Sequence, residues 1–381
     1  MSALWTAAED GPGTHVLVIG VSAYRNQLEG GAAPKAGSVT AAARSARAIV
    51  SWAFEAEAQN QFSPALRCVS AAISEPGTTD VVLSTPDGDR IAPEPTLSNL
   101  IPIVDAWIER LDQHPENVGI IYLVGHGFAG QRPFLLTEDY GSRKRDKYHG
   151  LIDVTEFYQT LRTCQARTIV MFADCCQEFE PGLFTQLNSI QGEAFGSADY
   201  RDLKEPQRVL VSATEPGGKS RGDRAGRTYF CDGLLYALRG AAAKGDASGA
   251  WPVTVADLAA TLSKSIEAAT GTASTAYWND WSYDDPPPRI VALPEAPDVE
   301  MRFETDPANA MFSCRFDIFH QDGGVPDLPK PSDFTYRATL PAKDGYVASA
   351  KFDPTDDYGD GMIGFSAQYF SPKITLKTTQ A

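Results

Sequence analysis

The sequence predicts an α/β fold with a mostly parallel sheet, followed by a C-terminal all-β domain. Three observations carry this. Apolar runs of strand length, several bounded by glycine, alternate with stretches of helical periodicity. The runs VGIIYLVG and TIVMFADC are apolar almost throughout, as strands covered on both faces are. The composition changes at WSYDDPPPRIVALPEAPD, and past about residue 297 only strand-like segments separated by turns follow. At 381 residues the chain is long enough for two or three domains, and the boundary is drawn between 1–293 and 294–381.

Taken in order, HVLVIGVSAY (15–24) reads as a first buried strand. Ser38 then reads as the N-cap of an alanine-rich helix, SVTAAARSARAIVSWAFEAEA, whose Val39, Ala42, Ala43, Ala46, Ile49, Val50 and Ala53 recur at helical spacing. ALRCVSAAI is a second strand, and SEPGTTDVVLSTPDGDRIAPEP holds a small hairpin. Thr96 opens a helix with Leu100, Ile103, Val104, Trp107, Ile108 and Leu111 on one face. VGIIYLVGHG is a strand running into Gly-His-Gly, and RPFLLTEDYG is another. LIDVTEFYQTLRT reads as a helix, RTIVMFADCC and QRVLVSAT as strands, and TYFCDGLLYALRGAAAK and VTVADLAATLSKSIEAAT as helices. Pro286–Pro288 favour an extended linker. MFSCRFDIFH, FTYRATL, GYVASAKF, MIGFSAQYF and KITLKT read as the strands of a small sandwich-like domain.

The net charge of −16 argues against nucleic acid and against anionic lipid as partners, and would steer a basic peptide toward the surface. No apolar run approaches the ~18 residues of a membrane span. The N-terminus lacks the basic and apolar segments of a signal peptide. The cysteines, Cys68, Cys164, Cys175, Cys176, Cys231 and Cys314, are scattered and contain no CxxC pair. They suggest neither a disulfide framework nor a zinc site. The expectation is a reduced, cytoplasmic protein.

His126 follows one buried strand and Cys176 follows another. In open parallel sheets functional groups gather beyond the carboxyl ends of strands. The two side chains therefore meet if those strands are neighbours. A thiol beside an imidazole is an activated nucleophile, and the imidazole can then protonate a leaving amine. The remaining histidines, His15, His114, His149 and His320, have no such context. Cys175, which alternation points away from Cys176, reads as packing.

VGIIYLVGHGF resembles the apolar strand and His-Gly of caspases, metacaspases and their bacterial relatives, and TIVMFADCCQ resembles their nucleophile strand. HVLVIGVSAY, VLVSATEPGG, TYFCDGLLYALRG and GAWPVTVADLAATL are similar to further segments of that family, in family order over about residues 14 to 290. The resemblance implies a caspase-like α/β/α sandwich and a cysteine endopeptidase working through a thioester acyl-enzyme. It places the nucleophile at the second cysteine of Asp174-Cys175-Cys176, the general acid/base at His126, and the oxyanion hole at the amides of Gly127 and Cys176. Glu178 and Phe179 depart from the small residues the family places after its nucleophile.

By the same resemblance, Asp174 and Glu215 belong to the specificity pocket, and two carboxylates there favour Arg or Lys before the cut. The basic loops and the long stretch after Cys176 offer processing sites at Arg143, Lys144, Arg145, Arg201, Lys204, Arg221 and Arg224. Bacterial members often serve stress or defence signalling. The resemblance thus implies protein or peptide substrates with basic residues, and a latent form switched on by an activating protease or a regulatory partner. No cofactor and no metal are expected. Calcium dependence occurs among metacaspases, but Asp353, Asp356, Asp357 and Asp360 lack EF-hand spacing and read as a polar turn. The alternative is a catalytically silent scaffold that recruits partners through the β domain. Neither a dinucleotide fingerprint nor a P-loop is present in VLVIGVSAY.

Overall fold

The computed structural model describes residues 3–9, 11–25, 36–129, 132–146, 148–177, 190–196, 207–223, 226–274, 276–282, 286–321, 323–324, 335–354, 356–370 and 373–378. The chain divides into two compact units, Met1–Leu238 with Pro252–Ala292, and Arg239–Trp251 with Leu293–Ala381.

The first unit is mixed α/β. In chain order it contains β1 (Trp5–Thr6), β2 (Thr14–Val21), α1 (Thr40–Ala58), β3 (Leu66–Ser74), the hairpin β4 (Val81–Thr85) and β5 (Gly88–Ala92), and α2 (Leu97–Leu111). Then come β6 (Val118–Gly125), β7 (Gly127–Ala129), β8 (Pro133–Leu136), β9 (Leu151–Asp153), α3 (Val154–Thr160), β10 (Thr168–Cys175) and β11 (Gln207–Ser212). The last elements are α4 (Tyr229–Tyr236), β12 (Trp251–Thr254), α5 (Val255–Thr270), β13 (Tyr277–Ser282) and β14 (Arg289–Leu293). The central sheet runs β1-β3-β2-β6-β10-β11-β13. Its inner strands β3, β2, β6, β10 and β11 are parallel, and the edge strands β1 and β13 are antiparallel to their neighbours.

Burial explains the strand sequences. Every residue of β2, β10 and β11 is buried, so polar alternation would leave side chains facing apolar layers. On one face Leu17, Ile19, Ile121, Leu123, Ile169 and Met171 pack with Leu100, Ile103, Val104 and Trp107 of α2 and Phe157 of α3. Each such aliphatic side chain contributes roughly 1.5–3 kcal/mol on burial. On the other face α1 crosses β2 so closely that a Cβ on Gly20 would sit 2.5 Å from the Ala46 methyl. This is why α1 carries alanine where it faces the sheet. Phe172 and Phe230 of α4 add a ring contact at 6.4 Å on that side.

Several boundaries differ from the sequence expectation. Helix α1 begins at Thr40 with Val39 as its N-cap, not Ser38. The hydroxyl that serves the helix start is that of Ser22, which accepts from the Ala43 amide at 2.6 Å and donates to the Val39 carbonyl. Asp153 does cap α3, accepting from Glu156 N at 2.9 Å. The helix begun at Tyr229 ends at Tyr236 and passes into a short wide turn in which Gly240 has φ +136°. The stretch expected to be a linker contains β14, which pairs with β12.

In the second unit, β15 (Asp298–Asp306), β18 (Tyr336–Pro341) and β21 (Lys373–Lys377) form one sheet in the order β18-β15-β21. A second sheet is β17-β16-β19-β20, from β16 (Arg315–His320), β17 (Gly323–Gly324), β19 (Tyr346–Lys351) and β20 (Gly361–Phe365). Both contribute to one apolar cluster that includes Val299, Met301, Phe303, Phe316, Ile318 and Ala348. In the acidic turn Asp360 accepts from Phe352 N at 2.9 Å and Asp356 from Asp353 N at 3.1 Å, so these carboxylates serve the turn's own backbone. Among the described residues no helix is long and apolar enough to cross a membrane.

Candidate active site

The site is built where two adjacent parallel strands end. Strands β6 and β10 are paired in register from Val118 and Thr168 up to Gly125 and Cys175. His126 and Cys176 are the next residues on each chain, so they leave the sheet at the same edge and level. Both line one cavity of about 250 Å³, together with Ser38, Gly125, Asp174, Ser220, Asp223 and Thr228.

His126 is held by contacts from the segment after β2. Its backbone N–H donates to the Tyr24 hydroxyl at 2.8 Å, and the Tyr24 ring lies 5.4 Å from the imidazole, tilted by 36°. Nε2 lies 2.8 Å from the Gly37 carbonyl oxygen. A carbonyl only accepts, so Nε2 carries the hydrogen and Nδ1 keeps its lone pair as a base. Burial lowers the His126 pKa below the usual histidine value, against the opposing pull of the Gly37 carbonyl. The neutral, proton-accepting form is thereby favoured.

Cys176 is half-buried, and its thiol donates to the Ser220 carbonyl at 3.6 Å. Cys175 is fully buried, and burial pushes its thiol far above the ordinary range, helped by Cys176 and Asp174. Of the adjacent pair only Cys176 faces the cavity, as strand alternation requires.

Asp174 is 1% exposed, yet it lines the cavity beside Cys176. Its Oδ2 accepts from the Tyr122 hydroxyl at 2.6 Å and from the Thr228 hydroxyl, and its Oδ1 accepts from the Ser220 hydroxyl at 2.8 Å. Burial raises the carboxyl above its usual range, while the hydroxyls of Thr228, Tyr122 and Ser220 stabilise the charged form. A cation entering the cavity would meet a carboxyl group already oriented by three hydroxyls and would itself favour the ionised form.

Gly127 lies against the backbone that carries the thiol. A Cβ there would fall 2.7 Å from the Cys176 carbonyl, 2.6 Å from the Phe134 carbonyl and 3.0 Å from the Cys175 Cβ. Only glycine allows this approach. The backbones of Gly127 and Cys176 are thus neighbours, as the assignment of their amides to one oxyanion site requires.

The structure separates the two pocket carboxylates expected from sequence. Glu215 is exposed on the loop after β11 and is not among the residues lining the cavity. The second carboxylate there is Asp223. Arg221, expected in a cleavable loop, lines the same cavity, whereas Arg143, Lys144 and Arg145 are exposed on a separate turn. Arg201, Lys204, Arg224, Glu178 and Phe179 lie outside the described residues. Sequence reasoning did not single out Tyr24, Gly37, Tyr122, Ser220 or Thr228. No spacing marks them, since each reaches the site across a long chain separation.

No family model matches the chain. It is 29% identical over 198 residues to the uncharacterized protein y4kE of Sinorhizobium fredii, which covers 49% of this chain and 56% of that protein. The chain thus spans little more than half the length of the curated relative it matches. The crystal structure of caspase-1 from Spodoptera frugiperda superposes with a TM-score of 0.37 at 12% identity, covering 70% of this chain and 84% of that one.

Proposed function

We propose that the chain is a caspase-like cysteine endopeptidase that cuts after Arg or Lys. The observation that carries this reading is the placement of His126 and Cys176 on register-paired strand ends, lining one cavity with the buried Asp174. In this reading His126 Nδ1 takes the Cys176 proton, and Sγ attacks the carbonyl carbon of the scissile peptide. The amides of Gly127 and Cys176 stabilise the oxyanion. The imidazolium returns the proton to the leaving amine, which departs and leaves a thioester. Water, deprotonated by His126, then hydrolyses the thioester and frees the thiol.

Asp174 supplies the preference for a basic side chain, with Asp223 at the same cavity. The bulk negative charge supports basic peptides as substrates. The β-rich unit is assigned recognition or regulation, with residues 1–293 and 294–381 as the working division. A latent enzyme in a bacterial stress or defence pathway, activated by cleavage or by a partner and needing no cofactor, completes the reading.

The test is hydrolysis of internally quenched peptides that differ only in Arg, Leu or Asp before the cut, by the protein and by Cys176→Ala. Cleavage of the Arg peptide that Cys176→Ala lacks is expected. Cleavage of none, before and after limited proteolysis, would favour the silent scaffold.

A further inference from the structure

Ser220 touches both chemical ends of the site. Its hydroxyl donates to Asp174 Oδ1 at 2.8 Å, and its carbonyl accepts the Cys176 thiol at 3.6 Å. We propose that Ser220 is a substrate-released latch: a basic side chain takes its place on Asp174, and that displacement frees the thiol for His126. This rests on the reading of Asp174 as the seat of a basic side chain.

Lone-pair counting supports the displacement. A carboxylate offers roughly four acceptor positions. Tyr122 and Thr228 occupy Oδ2, and Ser220 occupies one position on Oδ1. With Oδ2 full, a guanidinium reaching the group from the cavity is confined to Oδ1, and two N–H bonds to that one oxygen need both of its positions, so Ser220 must leave. Tyr122 is fully buried in β6 and has nowhere to turn. Thr228 is locked at the start of α4, where its Oγ1 accepts from Cys231 N at 3.2 Å and its amide donates to Ser45 Oγ at 3.0 Å. Ser220 is half-buried, on a loop, and lines the cavity. It is the donor that yields.

When its hydroxyl leaves Asp174, its carbonyl shifts with it, and the thiol loses an acceptor. Occupation of the pocket and readiness of the nucleophile are then linked through one residue. A basic substrate is favoured in the chemical step as well as in binding, which is the more discriminating use of the same contact.

The experiment is the rate at which iodoacetamide alkylates Cys176, followed by peptide mass mapping, with added ethylguanidinium or its neutral counterpart ethylurea. Ethylguanidinium should raise the rate about five-fold, the equivalent of one released hydrogen bond, and ethylurea should leave it unchanged. In Ser220→Ala the rate without additive should already be raised by a similar factor, and ethylguanidinium should add nothing. If ethylguanidinium leaves the rate unchanged or lowers it, while an arginyl chloromethyl ketone still modifies Cys176 faster than its leucyl counterpart, the latch is wrong and the pocket reading stands. If the arginyl reagent has no advantage, the pocket reading fails and the latch fails with it. Should Ser220→Ala not fold, the comparison of the two additives on the unaltered protein decides alone.

Discussion

Gly125 and Cys175 are register partners on adjacent parallel strands, and this pairing brings the next residues, His126 and Cys176, to one edge of the sheet. The chemistry of the site depends on that register, because a slip of one residue would turn each side chain to the opposite face.

Replacing Cys176 or His126 by Ala should reduce hydrolysis of an arginyl peptide by at least ~10³-fold while leaving the fold intact. Cys175→Ala should behave differently. Its thiol is buried and pushed far above the range in which a thiolate forms, so it packs without reacting. Cys175→Ala is expected to keep activity within a few-fold and to lose about 1–2 kcal/mol of stability. Steady-state kinetics and urea denaturation of these variants check both halves.

The two carboxylates assigned to specificity from sequence should separate cleanly. Asp174→Asn removes the carboxylate proposed to meet a basic side chain, and kcat/KM for arginyl substrates should fall about 10- to 100-fold. Glu215 is exposed and away from the cavity, so Glu215→Gln should change kcat/KM less than about two-fold. Equal losses in both variants would contradict this geometry.

Tyr24 bears on His126 through its hydroxyl, which accepts the His126 amide at 2.8 Å. Tyr24→Phe leaves that partly buried N–H without its acceptor. A loss of about 1–3 kcal/mol in stability is expected, with kcat falling more than KM rises, since the imidazole and not the pocket is disturbed.

Much of this site was legible in the sequence because its main residues end regular elements. VGIIYLVG and TIVMFADC are both eight-residue strands, so position pointed to the residues that follow them, and the resemblance chose Cys176 over Cys175. Asp174 was singled out through the resemblance, as the residue two before Cys176. What supports them was not. Ser22 caps α1 from 21 residues upstream of the amide that donates to it, Tyr24 meets His126 across 102 residues, and Ser220 meets Asp174 across 46. Loops carry these residues, and no periodicity records where a loop returns. For the same reason nothing in the sequence showed that Glu215 is exposed and away from the cavity while Asp223 lines it. The strand Asp298–Asp306 was missed because it follows directly on a proline-rich stretch, although its burial alternates as a half-exposed strand's should.

The half-buried His126 and the buried Glu138 give the protein opposing pH dependences. The folded pKa of His126 lies below its unfolded value near 6.5, so its contribution to stability is complete above that pH and is lost as pH falls through the folded pKa. An NMR titration, assigned with His126→Ala, should show a midpoint below 6.5. Glu138 runs the other way. Its carboxylate is fully buried, 3.2 Å from Arg25 Nη1, and burial together with Glu94 pushes its pKa up to about 7, against the Arg25 charge. A raised carboxyl adds stability below the unfolded value, which is lost as pH rises through the folded one. Glu138→Gln should therefore gain ~1–3 kcal/mol relative to the unaltered protein between pH 4.5 and pH 8, read by denaturation at both.

The most direct measurement is covalent labelling by an arginyl chloromethyl ketone, with the modified residue located by peptide mass mapping. The expected result is one adduct, on Cys176, abolished in His126→Ala and slowed in Asp174→Asn. Adduct formation on another cysteine, or at Cys176 with no dependence on His126, would contradict the assignment of these two residues as a nucleophile and its base.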